Sequence, residues 1–375
     1  MNEKIARFLD ERRPATPCLV LDLDIVEGNY RALAGALPDA RIYYAVKANP
    51  APEILRLLVG LGSSFDTASV NEIEMCLEAG ATADRISYGN TIKKEADIAR
   101  AYALGVRLYA FDSIDELEKI ARSAPGSRVF CRILTSGEGA EWPLSRKFGC
   151  EPEMARALLL QAASMNVEPY GVSFHVGSQQ KDVTQWDTAL AQTARLFKEL
   201  EAQGVNLRMV NLGGGFPTRY RTDVPDSGAY GTAIDEALRR HFGNRIPETI
   251  VEPGRGMVGN AGVIQSEVVL ISRKSANDNR RWVYLDIGKF GGLAETMDEA
   301  IQYPISTERA GSAEPVILAG PTCDSADVLY EKADYRLPSD LKIGDKVTIH
   351  AAGAYTTTYA SVAFNGFEPL RQYCI

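Results

Sequence analysis

The stretch Arg41-Ile42-Tyr43-Tyr44-Ala45-Val46-Lys47-Ala48-Asn49-Pro50 is an apolar run that ends at a lysine and is followed by a chain breaker. Its apolar and aromatic residues are typical of a buried strand, and the residue before a proline disfavours the helical region. The pattern therefore predicts a strand over residues 42–47 with Lys47 at its C-terminal end. A lysine that loses its hydration becomes neutral more readily, and the neutral amine is the nucleophile that forms Schiff bases. This stretch alone is also consistent with a structural role, in which the lysine stem lies along the strand end and the amine stays in water.

Strand and helix patterns alternate through roughly two-thirds of the chain. The predicted strands lie at 42–47, 63–66, 86–88, 107–111, 128–134, 170–174, 208–212 and 248–252. Helical patterns such as 52–61, 70–79 and 183–202 lie between them. Eight strands that alternate with helices indicate an α/β fold with a closed, TIM-like (β/α)8 barrel.

The pattern changes after Ala261. Strand-like runs at 262–271, 281–286, 315–318 and 346–350 follow without obvious paired helices. They predict a C-terminal, mainly β domain, to which we also assign the strand at 17–24. The expected organisation is a barrel over residues 25–261 and a β-sandwich or β-barrel domain formed by residues 1–24 and 262–375.

Composition and charge exclude several classes of protein. The net charge is −8 and no long basic run occurs, which argues against a nucleic-acid partner. The charged N-terminus lacks the apolar core of a signal peptide, and no run of 18 apolar residues predicts a membrane span. We therefore expect a cytoplasmic protein whose six scattered cysteines are reduced thiols. Three histidines make a His-rich metal site unexpected, and we predict no metal.

Polar side chains and glycines stand where the predicted barrel strands end, at the edge that carries the active site in such barrels. These residues are Lys47, Asp66, Arg132, His175, Gly213, Gly214, Gly215 and Glu252. Each alone has a structural explanation: Asp66 as a helix cap, His175 as a core histidine, the glycines as a tight turn. Their meeting at one barrel mouth favours a common functional site.

This set of groups has a specific chemical meaning. A glycine run lets backbone N–H groups approach a phosphate, and Arg255 in Glu252-Pro253-Gly254-Arg255 adds a positive charge. With a reactive amine, an aromatic ring that can stack and a carboxylate, the set fits pyridoxal 5′-phosphate.

Six motifs in register also resemble the fold type III pyridoxal-phosphate decarboxylases, which include ornithine, diaminopimelate and arginine decarboxylases. The match begins near residue 17 and runs in order to the C-terminus. They are Tyr43-Tyr-Ala-Val-Lys47-Ala-Asn, Ser173-Phe-His175-Val-Gly-Ser178, Gly213-Gly-Gly215-Phe-Pro, Glu252-Pro-Gly-Arg255, Gly320-Pro-Thr-Cys323-Asp324, and Gly353-Ala-Tyr355-Thr with Phe364-Asn365-Gly366-Phe367 after it. The ornithine decarboxylase branch is the nearest, and it implies an alanine-racemase-like barrel with a C-terminal β domain.

The resemblance implies roles for the barrel residues. Lys47 carries the cofactor, Glu252 pairs with its pyridine nitrogen and His175 stacks on its ring. The phosphate is held by Ser178, Gly213, Gly214, Gly215, Gly254, Arg255 and Tyr355. Asp66 and Arg132 order the region around the lysine and the glutamate.

The resemblance also implies how substrate binds. Cys323 protonates Cα after CO2 leaves, and Asp324 binds the distal ammonium of a basic amino acid. The loop that carries them reaches, with Phe364, into the barrel of a partner, so the active sites of a homodimer are shared. Tyr355 and Phe364 also belong to the expected substrate site. Related enzymes place another acid for the side-chain amine before the cysteine loop. A direct count puts Glu299 there, but Glu295 and Asp298 are close, so this position stays open.

The leading functional hypothesis is the decarboxylation of L-ornithine to putrescine and CO2, a step of polyamine synthesis. A lysine/ornithine dual enzyme and a diaminopimelate decarboxylase are the alternatives. Diaminopimelate decarboxylases place Glu-Ser-Gly after the cysteine, whereas this chain has Asp324-Ser325-Ala326, which favours a plain cationic tail. The non-enzyme alternative is an inactive relative that binds a regulator of polyamine synthesis.

Overall fold

The computed structural model describes residues 1–142 and 147–375 of the chain. Its helices are α1 (Glu3–Arg12), α2 (Leu23–Ala36), α3 (Pro52–Gly60), α4 (Val70–Glu78), α5 (Glu95–Ala103), α6 (Ile114–Ser123), α7 (Pro152–Ala162), α8 (Gln185–Glu201), α9 (Ser227–Phe242) and α10 (Arg255–Val258). The first strands are β1 (Cys18–Leu21), β2 (Ala40–Ala45), β3 (Ser64–Thr67), β4 (Ile86–Tyr88), β5 (Leu108–Phe111), β6 (Arg128–Arg132), β7 (Ala140–Trp142), β8 (Glu168–Ser173), β9 (Ser178–Gln180), β10 (Met209–Asn211) and β11 (Glu248–Val251). The later strands are β12 (Gly262–Ser272), β13 (Arg281–Leu285), β14 (Ile305–Thr307), β15 (Ala313–Ala319), β16 (Val328–Pro338), β17 (Lys346–Ile349) and β18 (Arg371–Cys374).

Among the described residues, eight parallel strands close into a barrel in the order β10-β11-β2-β3-β4-β5-β6-β8. The barrel that the strand–helix alternation predicted is therefore confirmed. Apolar side chains from these strands fill its interior, namely those of Tyr43, Leu108, Ala110, Phe130, Tyr170, Met209 and Ile250. Because all eight strands run in one direction, their C-terminal ends meet at one mouth.

The helices around the barrel begin at local sequence signals. Ser69 accepts a hydrogen bond from the N–H of Glu72 at the start of α4, and Asp226 accepts one from Ala229 at the start of α9. Proline is the first residue of α3 and of α7, where its missing N–H costs no helical hydrogen bond. The buried face of α3 is apolar and consists of Ile54, Leu55 and Leu58.

The end of the first barrel strand differs from the prediction. Strand β2 ends at Ala45, and Lys47 lies in a short 3-10 turn over Val46–Ala48 rather than in the strand. The Ala45 N–H already donates to the carbonyl of Pro253, and the Asn49 N–H closes the turn on the carbonyl of Val46. The hydroxyl of the buried Tyr44 fixes the turn by donating to the carbonyl of Asn49 at 2.8 Å.

A second sheet contains the C-terminal strands. In the described part of the chain it is an eight-stranded mixed sheet in which β14, β17, β12, β13, β15 and β16 follow one another. Strand β1 joins it, antiparallel to β12 and parallel to β18. The mainly β character predicted for this region is confirmed. Strands β14, β16 and β18, and the β7–β9 pair between the barrel strands, were not predicted.

The chain forms two compact units. One consists of Met1–Val26, Thr218–Asp223 and Val258–Ile375, and the other of Glu27–Pro217 and Val224–Met257. The first contains the mixed sheet and the second contains the barrel. The domain limits expected from the sequence, 25–261 for the barrel, stay a prediction.

Candidate active site

Lys47, in the turn after β2, and Asp66, in the neighbouring strand β3, lie at the barrel mouth. The Lys47 amine lies 3.8 Å from Oδ2 of Asp66, and the lysine side chain is half exposed while the aspartate is buried. Burial raises the pKa of the Asp66 carboxyl well above its ordinary value, and the charge of Glu252 acts in the same direction; Lys47 opposes this shift without cancelling it. Gly89 makes room for the carboxylate, because a Cβ there would lie 1.9 Å from its Oδ1.

Arg132 and His175 follow at the ends of β6 and β8. Burial lowers the pKa of the Arg132 guanidinium, while Glu252, Asp112 and Asp66 act against that shift. Burial also lowers the pKa of His175 well below its ordinary value, and the positive charges of Arg132 and Lys47 add to this effect. The imidazole is therefore neutral. Its Nδ1 accepts the N–H of Gly177 at 3.0 Å, which places the remaining ring proton on Nε2.

Glu252 directly follows β11 and is held by a side chain from the adjacent strand. The amide of Asn211 donates to Oε1 of Glu252, and its own oxygen accepts the N–H of Gly213 at 2.9 Å. Asn211 is buried, so this amide ties the glutamate to the glycine turn. The sequence prediction missed Asn211; the signal was an amide in the otherwise apolar strand β10.

The glycines 213–215 bring three loops into close backbone contact. Gly213 and Gly215 have φ of 64° and 102°, the left-handed region that glycine adopts without strain. A Cβ at Gly213 would lie 2.2 Å from the carbonyl oxygen of Phe174, and one at Gly214 would lie 2.6 Å from that of Glu252. A Cβ at Gly215 would meet the carbonyl oxygen of Gly177 at 2.6 Å. Only glycine therefore lets the chain segments of His175 and Glu252 approach this closely.

Arg255 and Ser178 complete this end of the barrel. Nη2 of Arg255 donates to Oγ of Ser178 at 3.2 Å, and the arginine is buried at the start of α10. Gly254, just before it, is buried as well. A buried guanidinium beside a hydroxyl and a glycine turn has the donors that a phosphate needs.

These residues fit pyridoxal phosphate. An amine for the aldehyde, a neutral aromatic ring, a carboxylate held by an amide, and an arginine–serine–glycine cradle belong to one unit and come from strand ends of one barrel. Within residues 1–142 and 147–375, no group of three or more His, Cys, Asp or Glu side chains is placed to hold a metal ion.

The other unit carries the predicted donor and substrate residues. Cys323 and Asp324 are exposed on the loop between β15 and β16. The N–H of Cys323 donates to Oδ1 of Asn365 at 2.8 Å, and Oδ1 of Asp324 accepts the N–H of Ala326 at 2.8 Å. The Phe364 ring packs against Phe290, with centroids 4.8 Å apart.

Tyr355, which the resemblance places at the cofactor phosphate, also belongs to this unit. It is half-buried with φ of 56°, and its ring lies 6.3 Å from that of Tyr359.

The acidic segment before the cysteine loop has three different environments. Glu295 is buried and Asp298 is exposed. The Glu299 carboxylate accepts backbone hydrogen bonds from Glu331, Lys332 and Ala333 at 2.7 to 2.8 Å. Partial burial acts to raise the pKa of Glu299, but the backbone donors outweigh it and the pKa lies below its ordinary value. Glu299, the residue that a direct count selects, is thus bound to the backbone in the middle of β16.

Comparisons with known proteins give the family. Residues 23–259 match the family described as "Pyridoxal-dependent decarboxylase, pyridoxal binding domain". The chain is 39% identical over 374 residues to the lysine/ornithine decarboxylase of Selenomonas ruminantium, covering 98% of this chain and 91% of that protein.

Solved structures give the same result. A structure of SrLDC in complex with PLP and cadaverine superposes with a TM-score of 0.90 and 36% identity, covering 100% of this chain and 94% of that one. The lysine/ornithine decarboxylase of Vibrio vulnificus, complexed with cadaverine, gives a TM-score of 0.90 at 31% identity, covering 100% of this chain and 99% of that one. Both the sequence and the fold therefore assign the chain to the pyridoxal-phosphate-dependent amino-acid decarboxylases, with pyridoxal phosphate as its cofactor.

Proposed function

We propose that the chain decarboxylates basic L-amino acids, with L-ornithine converted to putrescine and CO2 and L-lysine as a second substrate. The observation that carries the proposal is the barrel mouth. There the Lys47 amine stands beside the buried Asp66, His175 is neutral, and Glu252 is held by Asn211.

Each barrel residue has a physical task in this proposal. The bound cofactor supplies an electron sink for the pair of electrons that stays at Cα when CO2 leaves. Lys47 would hold its aldehyde carbon, and the Glu252 carboxylate would hold a proton on its ring nitrogen, since a neighbouring negative charge favours the charged form. The neutral His175 would lie against the ring without repelling that charge. Asp66 and Arg132 would keep the lysine and the glutamate in place.

The phosphate would be held by the buried Arg255 together with Ser178 and the glycine turn. The Arg255–Ser178 hydrogen bond and the absence of side chains at residues 213–215, which lets a phosphate approach the backbone N–H groups of this turn at close range, support this part of the proposal. Gly254 would let the chain reach the phosphate, and Tyr355 would add a hydroxyl.

The C-terminal residues would bind the substrate and complete the reaction. Asp324 would pair with the distal ammonium, Phe364 would pack along the aliphatic chain and Cys323 would give its thiol proton to Cα. Among the three acids before the cysteine loop, we propose Asp298 as the second contact to the side-chain amine, because it is exposed whereas Glu299 is occupied by three backbone donors. Glu295 is the third candidate.

The choice of substrate rests on charge. The relative from Vibrio vulnificus was solved with cadaverine, a diamine product, which supports a basic amino acid as substrate here. Asp324-Ser325-Ala326 offers a carboxylate for an ammonium group and lacks the Glu-Ser-Gly that suits the second head group of diaminopimelate.

The proposal includes a cytoplasmic homodimer in which the cysteine loop of one subunit completes the barrel site of the other. No helix in the described ranges combines the length and apolarity needed to cross a membrane. Static light scattering of the holoenzyme should give twice the mass of the chain; a monomer that is fully active would contradict shared sites.

Steady-state kinetics of the holoenzyme on L-ornithine, L-lysine, L-arginine and diaminopimelate tests the function. We expect the highest kcat/KM on ornithine, followed by lysine. Asp324→Asn should lower it roughly tenfold to a hundredfold on both, because a charge-assisted hydrogen bond is worth about 1.5–3 kcal/mol. A preference for diaminopimelate, or a purified protein without the absorbance of bound cofactor and without CO2 release, would contradict the proposal.

A further inference from the structure

The Cys323 backbone is held by a residue from a different loop. Its N–H donates to Oδ1 of Asn365 at 2.8 Å, although 42 residues separate the two positions. Both residues are exposed, so the bond is not a by-product of core packing. Asn365 is the side chain that joins the cysteine to the Phe364–Gly366 turn.

The rear of the cysteine loop is fixed independently of Asn365. The buried Asp327 accepts hydrogen bonds from the N–H of Lys289 at 2.8 Å, and from both the N–H and the hydroxyl of Thr322 at 3.1 and 2.7 Å. A Cβ at Gly288 or Gly320 would lie within 2.5 Å of this carboxylate, so the loop base is tightly packed. The loop therefore has a rigid base, and Asn365 acts on its tip.

The turn that presents Asn365 is itself fixed. Asn365 has φ of 51°, a left-handed conformation that asparagine tolerates better than most residues. The preceding Phe364 packs on Phe290, and the Ser361 N–H donates to the Phe290 carbonyl at 2.9 Å. The oxygen of Asn365 is thus held in place to receive the Cys323 N–H.

We propose that Asn365 is a positioning residue that directs the Cys323 thiol at Cα of the substrate, and so decides where the proton goes after CO2 leaves. The inference rests on the proposed function. In the correct outcome the Cα–carboxylate bond breaks, its electron pair takes the thiol proton to form a new C–H bond at Cα, and water reprotonates the thiolate. If the proton goes instead to the aldehyde carbon of the cofactor, hydrolysis by water releases the substrate as an aldehyde and leaves the amino group on the cofactor. The ratio of aldehyde to diamine therefore reports the position of the thiol.

Two variants isolate the side chain of Asn365. Asn365→Gly removes the oxygen acceptor and keeps a residue that adopts the left-handed φ, whereas Asn365→Asp keeps an oxygen acceptor. Cys323→Ala, which has no thiol, is the reference for misdirected protonation. Product analysis of the holoenzymes is combined with hydrogen exchange of the Cys323 amide in the cofactor-free proteins.

We expect Asn365→Gly to speed exchange of the Cys323 amide and to raise the aldehyde fraction at least severalfold, towards the value of Cys323→Ala. Asn365→Asp keeps the acceptor oxygen, so its Cys323 amide exchange rate and its aldehyde fraction should be closer to those of the wild type. Unchanged amide exchange in Asn365→Gly, or faster exchange with a wild-type product ratio, would overturn this role of Asn365 and leave the proposed function intact. If Cys323→Ala itself releases only diamine, the donor role in the proposed function fails, and the inference fails with it.

Discussion

Glu299 and Asp298 are neighbours in sequence with opposite surroundings. The Glu299 carboxylate accepts three backbone hydrogen bonds from the middle of β16, whereas the Asp298 side chain is exposed. A count along the sequence cannot separate them, because both are acids one position apart. Their different partners predict that one stabilises the fold and the other acts on the substrate.

Substitution of each acid by its amide tests this division. Glu299→Gln should lower the free energy of unfolding by about 1 kcal/mol, since an amide offers one acceptor oxygen in place of two. Asp298→Asn, which suits the left-handed φ of 51° at this position, should leave stability within about 0.5 kcal/mol and raise KM for ornithine and lysine. Chemical denaturation and steady-state kinetics measure both. A raised KM in Glu299→Gln with unchanged stability, and no change in Asp298→Asn, would reverse the assignment.

The glycine turn after β10 is the element that determines how closely the strand ends approach. A Cβ at Gly214 would stand 2.6 Å from the carbonyl oxygen of Glu252, a backbone atom that cannot rotate away. Gly214→Ala should therefore push the Glu252 segment from the turn and weaken cofactor binding at least tenfold, measured by titration of the cofactor-free protein.

Gly35→Ala is the matched control for this glycine substitution. Gly35 lies in α2 and a Cβ there has no heavy atom within 4 Å. The change should leave cofactor affinity unaltered and raise stability by about 0.5–1 kcal/mol. Equal cofactor affinity in Gly214→Ala and Gly35→Ala would contradict the clash that the structure predicts at Gly214.

The elements that were predicted correctly carry their signal locally. The eight barrel strands are short apolar runs between helical patterns, and the structure contains each of them. Strand β16 was missed because Glu331, Lys332 and Asp334 interrupt its apolar pattern, and the backbone at this interruption is held by the distant Glu299. Strand β18 pairs with β1 from the opposite end of the chain, which no local pattern reports.

The candidate site shows the same limit. Lys47, His175 and Glu252 stand in motifs that a reader of the sequence can find. The amide of Asn211 looks like part of a strand, and its contact with Glu252 exists only when β10 and β11 are adjacent. Likewise, the 3-10 turn at Lys47 depends on the Ala45–Pro253 hydrogen bond between two strand ends. Sequence motifs thus predict the reacting groups, whereas the side chains that hold them become visible only in the fold.

At the scale of the whole molecule, the buried His175 links stability to pH. Its pKa is lowered by burial and by the charges of Arg132 and Lys47, so the folded protein resists its protonation. The unfolded chain binds a proton at this imidazole below about pH 6.5, whereas the folded protein does not. The free energy of unfolding therefore falls as pH drops below about 6.5, by about 1.4 kcal/mol per pH unit at most.

Comparison with His175→Phe isolates this contribution, because phenylalanine keeps a ring and does not titrate. In thermal unfolding of the cofactor-free proteins, wild-type stability relative to the variant should fall from pH 7 towards pH 5. A difference that stays constant, or that grows in favour of wild type at low pH, would show that the folded imidazole accepts the proton.

The proposed chemistry requires that Lys47 is the amine that binds the cofactor at the barrel mouth. Borohydride reduction of the holoenzyme followed by peptide mass mapping tests this most directly, because reduction fixes the cofactor to the amine that holds it. We predict the phosphopyridoxyl group on the peptide that contains Lys47 and loss of this label in Lys47→Ala. A label on any other lysine, or an active decarboxylase that carries no label, would contradict the account.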